Sequence, residues 1–164
     1  MSARPIPKSF TVAVAFVFAV GFAALVLLGA GVTSLLTNAD EPLTFGDNLP
    51  GFGIPLTAIA ALCFALASIR AGLRFRGRVR VGAVVGIALT TWVCGFIAEA
   101  IATLAFNRFG AGDLVFAILA FFFQPPGWII FGSALLAGWA YLGTLGWQQR
   151  NGETKQFEIG RAHV

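Results

Sequence analysis

The chain has 164 residues, 58% of them hydrophobic and 11% charged, and a mean hydropathy of +0.86. That length suits one domain, and a soluble fold of this composition would leave much of its apolar surface in water, so the composition excludes a soluble globular protein and indicates an integral membrane one. The net charge of +4 and pI near 9.8 do not indicate nucleic acid, because the basic residues stand at the ends of apolar runs. Topology and contact with anionic lipid headgroups account for them.

Met1 to Ser9 is short and polar, carries Arg4 and Lys8, and leads into an apolar run from Phe10 to about Leu36. A basic start before an apolar run also describes a signal peptide, and Thr37-Asn38-Ala39 is a tolerable cleavage site. The run, about 27 residues, exceeds the apolar core of about 7–15 residues in a cleavable signal, so it reads as a retained first span. Within it Ala15, Ala19 and Ala23 recur every four positions, which places them on one helix face for close packing. Thr37 to Gly53 holds Asp40, Glu41 and Asp47 but no Lys or Arg, and is expected outside. It lacks the regular oxygen-ligand spacing of a calcium loop and reads as a solvated connection. Pro55 suits the first turn of the second span, Ile54 to about Ile69, which reaches Phe75 if Arg70 and Arg74 snorkel.

The stretch Arg70-Ala-Gly-Leu-Arg-Phe-Arg-Gly-Arg-Val-Arg80 sets the topology. Arg70, Arg74, Arg76, Arg78 and Arg80 cannot sit in hydrocarbon, so they are expected at the cytoplasmic surface against anionic headgroups. The third span runs from Val81 to Phe106 and opens with Gly82-Ala-Val-Val-Gly86, a spacing that permits close backbone approach. After a short outer turn with Arg108 and Asp113, the apolar stretch Leu114 to Gln148 is too long for one straight span. Pro126 must break or restart it. A fourth span over 126–148 puts Trp128 and Trp147 near its two ends, where indoles favour the interface. Leu114 to Phe123 then becomes an apolar half-helix at the outer leaflet, in preference to one long kinked helix with unpaired carbonyls.

The expected fold is therefore an all-α integral membrane four-helix bundle with spans over 10–36, 54–75, 81–106 and 126–148. Arg4, Lys8, the loop arginines, Arg150 and Lys155 fall on one side against Arg108 on the other, so both termini are expected in the cytoplasm. Residues 1–157 form the single domain. The last seven residues, Glu158-Ile-Gly-Arg-Ala-His-Val164, resemble the translation of a widely used short-read sequencing adapter, and are expected not to be genuine protein. Arginine outnumbers lysine and Ala, Gly and Val are abundant, as in GC-rich bacterial coding sequence. The expected location is the bacterial plasma membrane.

Few groups can carry chemistry. Glu99 is the one acidic residue inside an apolar span and so a candidate proton or cation site. It lies about 27 Å from Val81 along a helix, close to the outer edge of a core about 30 Å thick, where headgroup water or Arg108 satisfies a carboxylate. Gln124, before Pro125-Pro126, is the second candidate, because an interrupted helix exposes backbone groups to a substrate or ion; a polar helix stop is the simpler reading. Thr90, Thr91, Thr103 and Ser133 are expected to bond their own helix carbonyls or a neighbouring helix. Phe121-Phe122-Phe123 is accounted for by ordinary membrane insertion. Cys63 and Cys94 lie in apolar runs without Cys-x-x-Cys spacing and read as buried structural thiols; His163 has no metal-ligating companions. No cofactor, metal site or catalytic constellation is read, which argues against a self-contained enzyme.

The layout, with Ser34-Leu-Leu-Thr-Asn-Ala-Asp40 leaving the first span and an arginine-rich loop between spans two and three, resembles small four-span membrane proteins of actinobacteria without an assigned function. That resemblance implies a fold and no catalytic residues. The leading expectation is a non-enzymatic component that packs against a membrane protein partner or a second copy of itself. The alternative is a small oligomeric transporter or channel using Glu99 and Gln124; small multidrug exporters, which carry their key Glu in the first span, are a poor match. A membrane enzyme or thiol-redox protein would need residues not found here or a further C-terminal domain.

Overall fold

The computed structural model describes residues 6–36, 53–75, 78–106, 115 and 125–161, excluding side chains at 34–36, 53–55, 99, 102–106, 125–126 and 152–161. The regular elements are helices: α1 (Lys8–Leu36), α2 (Gly53–Leu73), α3 (Val81–Phe106) and α4 (Pro125–Arg161). Each contains a segment long and apolar enough to cross a membrane.

Local chemistry explains the helix ends. The Pro7 carbonyl accepts the Thr11 N–H at 3.1 Å and its hydroxyl at 3.3 Å, so α1 starts at Lys8, two residues before the expected Phe10. Pro55 falls in the first turn of α2, and α4 opens on Pro125-Pro126, whose fixed φ and missing N–H suit a first turn. α2 stops at Leu73, short of Phe75, because its last turn tightens: the Arg74 N–H bonds Ala71 O at 3.2 Å and the Phe75 N–H bonds Gly72 O at 3.0 Å. α3 occupies the expected range.

The fourth helix runs on past the expected span. The part long and apolar enough to cross a membrane is Gly127–Asn151, close to the expected 126–148, and the helix continues to Arg161, about 55 Å in all at 1.5 Å per residue. Polarity ends a span without ending a helix. Gln, Glu, Lys and Arg beyond Trp147 are good helix formers, and the single Gly152 costs only about 1 kcal/mol. The half-helix expected over Leu114 to Phe123 lies outside the described residues apart from Val115, which is helical and exposed.

The helices form a closed antiparallel ring. Each packs on its sequence neighbour, α1 also packs on α4, and α2 meets α4 across the diagonal. The direction of each helix follows from its contacts. Thr11 of α1 reaches Tyr141 of α4 while Gly29 reaches Ile129, and Trp92 of α3 meets Phe131 while Ile87 meets Gly138. Successive helices thus run up and down in turn, with only the α2–α3 connection, Arg74 to Arg80, short.

The axis is filled by Phe22, Phe64, Ile87, Tyr141 and Leu142, interleaved with Ala15, Ala19, Ala60, Ala88 and Ala134. Phe22 and Phe64 stack at 5.1 Å between centroids with planes only 4° apart. Ala15 and Ala19 are buried as expected, and Ala23 is half-buried. The outer surface is also apolar: Phe16, Val20, Leu28, Leu62, Leu66, Ile97 and Leu136 are all exposed. A soluble bundle puts polar residues there, so a hydrocarbon surround is the environment this surface fits. Trp128 and Trp147 are exposed about 28 Å apart along α4, close to the thickness of a bilayer core.

Candidate functional site

The antiparallel ring gathers the described basic residues at one end: Lys8 opens α1, Arg70 and Arg74 close α2, Arg78 and Arg80 precede α3, and Arg150 lies in the outgoing part of α4. Arg70, Arg74, Arg78 and Arg80 are exposed. The helix dipoles act on them with opposite sign. The negative C-terminal end of α2 favours Arg70 and Arg74, whereas the positive N-terminal end of α3, where the Ala83 and Val84 N–H groups share the Arg80 carbonyl at 2.9 and 3.3 Å, opposes Arg78 and Arg80.

Between α2, α3 and the flank of α4 these four arginines line a cavity of about 1020 Å³. Apolar residues share its lining: Ala67 and Ala71 from α2, Ala83, Gly86 and Ile87 from α3, and Leu142 from α4. A Cβ on Gly82 or Gly86 would meet nothing within 4 Å. The glycine pair therefore leaves an open face and does not draw two helices together within the bundle. Thr90, at the top of the cavity, donates its hydroxyl to Gly86 O at 2.8 Å, so this wall presents an already satisfied polar group.

At the same end, three helices meet tightly. The Tyr141 hydroxyl donates to Thr11 O at 3.4 Å, and the space beside Gly72 is occupied by that hydroxyl and the Thr11 methyl. Phe18 packs edge-on against Tyr141 at 6.0 Å.

Comparison with protein-family models, with curated proteins and with solved structures gave no match. The chemistry of this site therefore rests on its own geometry.

Of the sequence candidates, Arg70, Arg74, Arg78 and Arg80 come together here, while Arg76 lies outside the described residues. Glu99 belongs to α3 but its side chain is outside the description, as is the whole of Gln124, so neither is placed. Thr91 donates to Ile87 O at 2.9 Å, so of the two partners expected for Thr90 and Thr91, their own helix or a neighbouring one, both bond their own helix. Cys63 and Cys94 are half-buried, free thiols that stand near each other across the α2–α3 interface. Sequence spacing concealed that proximity, because the two thiols come from different helices. No cluster of His, Cys, Asp or Glu suited to a metal occurs among the described residues.

Sequence reasoning also missed the apolar part of the arginine cavity's lining. The available signal was small residues one turn inside each helix from the arginines, Ala67 and Ala71 on one side and Ala83 and Gly86 on the other. Leu142 carried no such signal, since only the tertiary fold brings α4 alongside.

Proposed function

We propose that this protein is a non-enzymatic, multi-pass component of a bacterial plasma membrane, acting through its outer surface on a membrane protein partner or a second copy. The observation that carries this reading is the filled axis. Phe22 stacked on Phe64, with Ile87 and Tyr141 beside them, occupies the line a solute would follow through one bundle. Thr11 and Thr91, buried nearby, spend their hydroxyls on their own helix backbones rather than on a polar path. The gathering of arginines at one end supports a cytoplasmic placement of that end and of both termini.

The test is reconstitution beside cross-linking. Proteoliposomes carrying the wild type and Glu99→Gln should pass protons and monovalent cations no faster than empty vesicles under an imposed gradient. In native membranes, a photo-cross-linker at an exposed position such as Leu66 should give one discrete adduct, unchanged by Glu99→Gln, of a mass that identifies a second copy or another membrane protein. Flux above the empty-vesicle rate that disappears in Glu99→Gln would replace this reading with the transport one.

A further inference from the structure

We propose that the groove at the arginine end is a seat for one anionic phospholipid, its phosphate among Arg74, Arg78 and Arg80 and an acyl chain lying along α3 past Gly86 towards Thr90. This goes beyond general attraction between arginines and a charged membrane, because it specifies a shaped site with both a polar and an apolar part.

Charge is the first argument. Four guanidinium groups border one cavity, and none of its described lining residues is acidic. Like charges around one cavity repel, and at Arg78 and Arg80 the positive end of α3 adds to the repulsion. An anion at that point relieves both. Phosphate suits guanidinium in particular, since its oxygens accept paired N–H donors.

Shape is the second argument, and it favours a lipid over a free anion. From Arg80 to Thr90 the lining climbs about 15 Å along α3, roughly half the thickness of a bilayer core. Arg74, Arg78 and Arg80 lie at its lower end and Arg70 stands one turn up α2; beyond Arg70, Ala67, Gly86 and Ile87 continue as an apolar wall that a small hydrated anion has no use for. Gly86 leaves open space where a side chain would project, and the Thr90 hydroxyl is already bonded, so an acyl chain there strands no polar group.

The full-length protein, extracted in mild detergent, can be titrated with phosphatidylglycerol, with phosphatidylcholine of the same chains, or with inorganic phosphate, and the adducts counted by native mass spectrometry. The wild type should take one phosphatidylglycerol per chain at a concentration at least about tenfold below that for phosphatidylcholine, and millimolar phosphate should not displace it. R78Q/R80Q should weaken the adduct about 25-fold, at about fivefold for each guanidinium removed. G86L keeps every charge and projects into open space; it should fill the groove and weaken the adduct about tenfold with an unchanged melting temperature. Equal binding of the two lipids overturns the proposal. So does full displacement by inorganic phosphate, which would make this a soluble-anion site. Wild-type affinity in G86L overturns it as well, by showing diffuse surface attraction in place of a groove. If R78Q/R80Q fails to fold, the contrast between lipids and the G86L result still decide.

Discussion

Gly72 on α2 and Gly86 on α3 stand at the same end of the same bundle, in helices of similar apolar composition, and they serve opposite purposes. At Gly72 the missing side chain is replaced by neighbours: the Tyr141 hydroxyl and the Thr11 methyl fill its place, locking α1, α2 and α4 together. At Gly86 the missing side chain is replaced by nothing, and the gap becomes part of a cavity bordered by arginines. A glycine in a membrane helix thus either lets another helix come close or leaves room for something that is not protein. Spacing alone does not distinguish the two. Gly82 and Gly86 carry the recognised motif yet face open space, while the tightest approaches among the described glycines belong to Gly29 and Gly72, which have no glycine four residues away.

Substitutions can break this comparison, and the largest effect belongs to Gly72→Ala. Its new Cβ falls on Tyr141 and Thr11, and overpacking of this kind costs about 1–3 kcal/mol, seen as a lower melting temperature in detergent. Adding Tyr141→Phe removes the colliding oxygen, so the double variant should be more stable than the sum of the two single changes predicts. Gly29→Ala should cost less. Its Cβ would lie 2.8 Å from Ile129 Cγ2, the end of a side chain able to shift. A Gly72→Ala protein that melts with the wild type would remove the tight junction from the description.

Gly86→Ala should move the other way, because nothing opposes the added methyl and alanine favours helix by up to about 1 kcal/mol over glycine. A melting temperature equal to or above wild type is the expected outcome, and a fall comparable to that of Gly72→Ala would mean the groove is closed. The smallest effect is expected at Ser68. It is fully buried in α2, and its Oγ has no hydrogen-bond partner among the described residues, so Ser68→Ala should change stability by no more than about 0.5–1 kcal/mol, in the stabilising direction. A clear loss in thermal unfolding would reveal a bond that Ser68 makes in the membrane.

Much of the architecture was legible before any fold was known, for a simple reason. Hydrocarbon has nothing to offer an unpaired N–H or C=O, so an apolar run of sufficient length has to become a helix, and Pro55, Pro125, Pro126 and the arginines mark where such helices can begin or stop. Phe10 to Leu36 and Val81 to Phe106 were readable almost to the residue on that basis. The end of α4 was not, because the change from apolar to polar at Gln148 reports where a bilayer ends, and a helix of Gln, Glu and Lys continues in water without it. Of the candidate site, the arginines were legible as a charge run, while the wall that turns them into a cavity was not.

The sequence by itself determined the helices, their apolar character and the charged end they share, because each of these depends on residues close together in the chain. Tertiary structure alone decided which glycines are filled and which are open, that Cys63 comes near Cys94, and that Leu142 closes one side of the arginine groove. Those outcomes depend on how four helices, apolar on nearly every face, rotate against one another. In such helices no polar stripe marks the inward side, so complementary packing of Phe22, Phe64, Tyr141 and the small residues between them chooses the faces that meet.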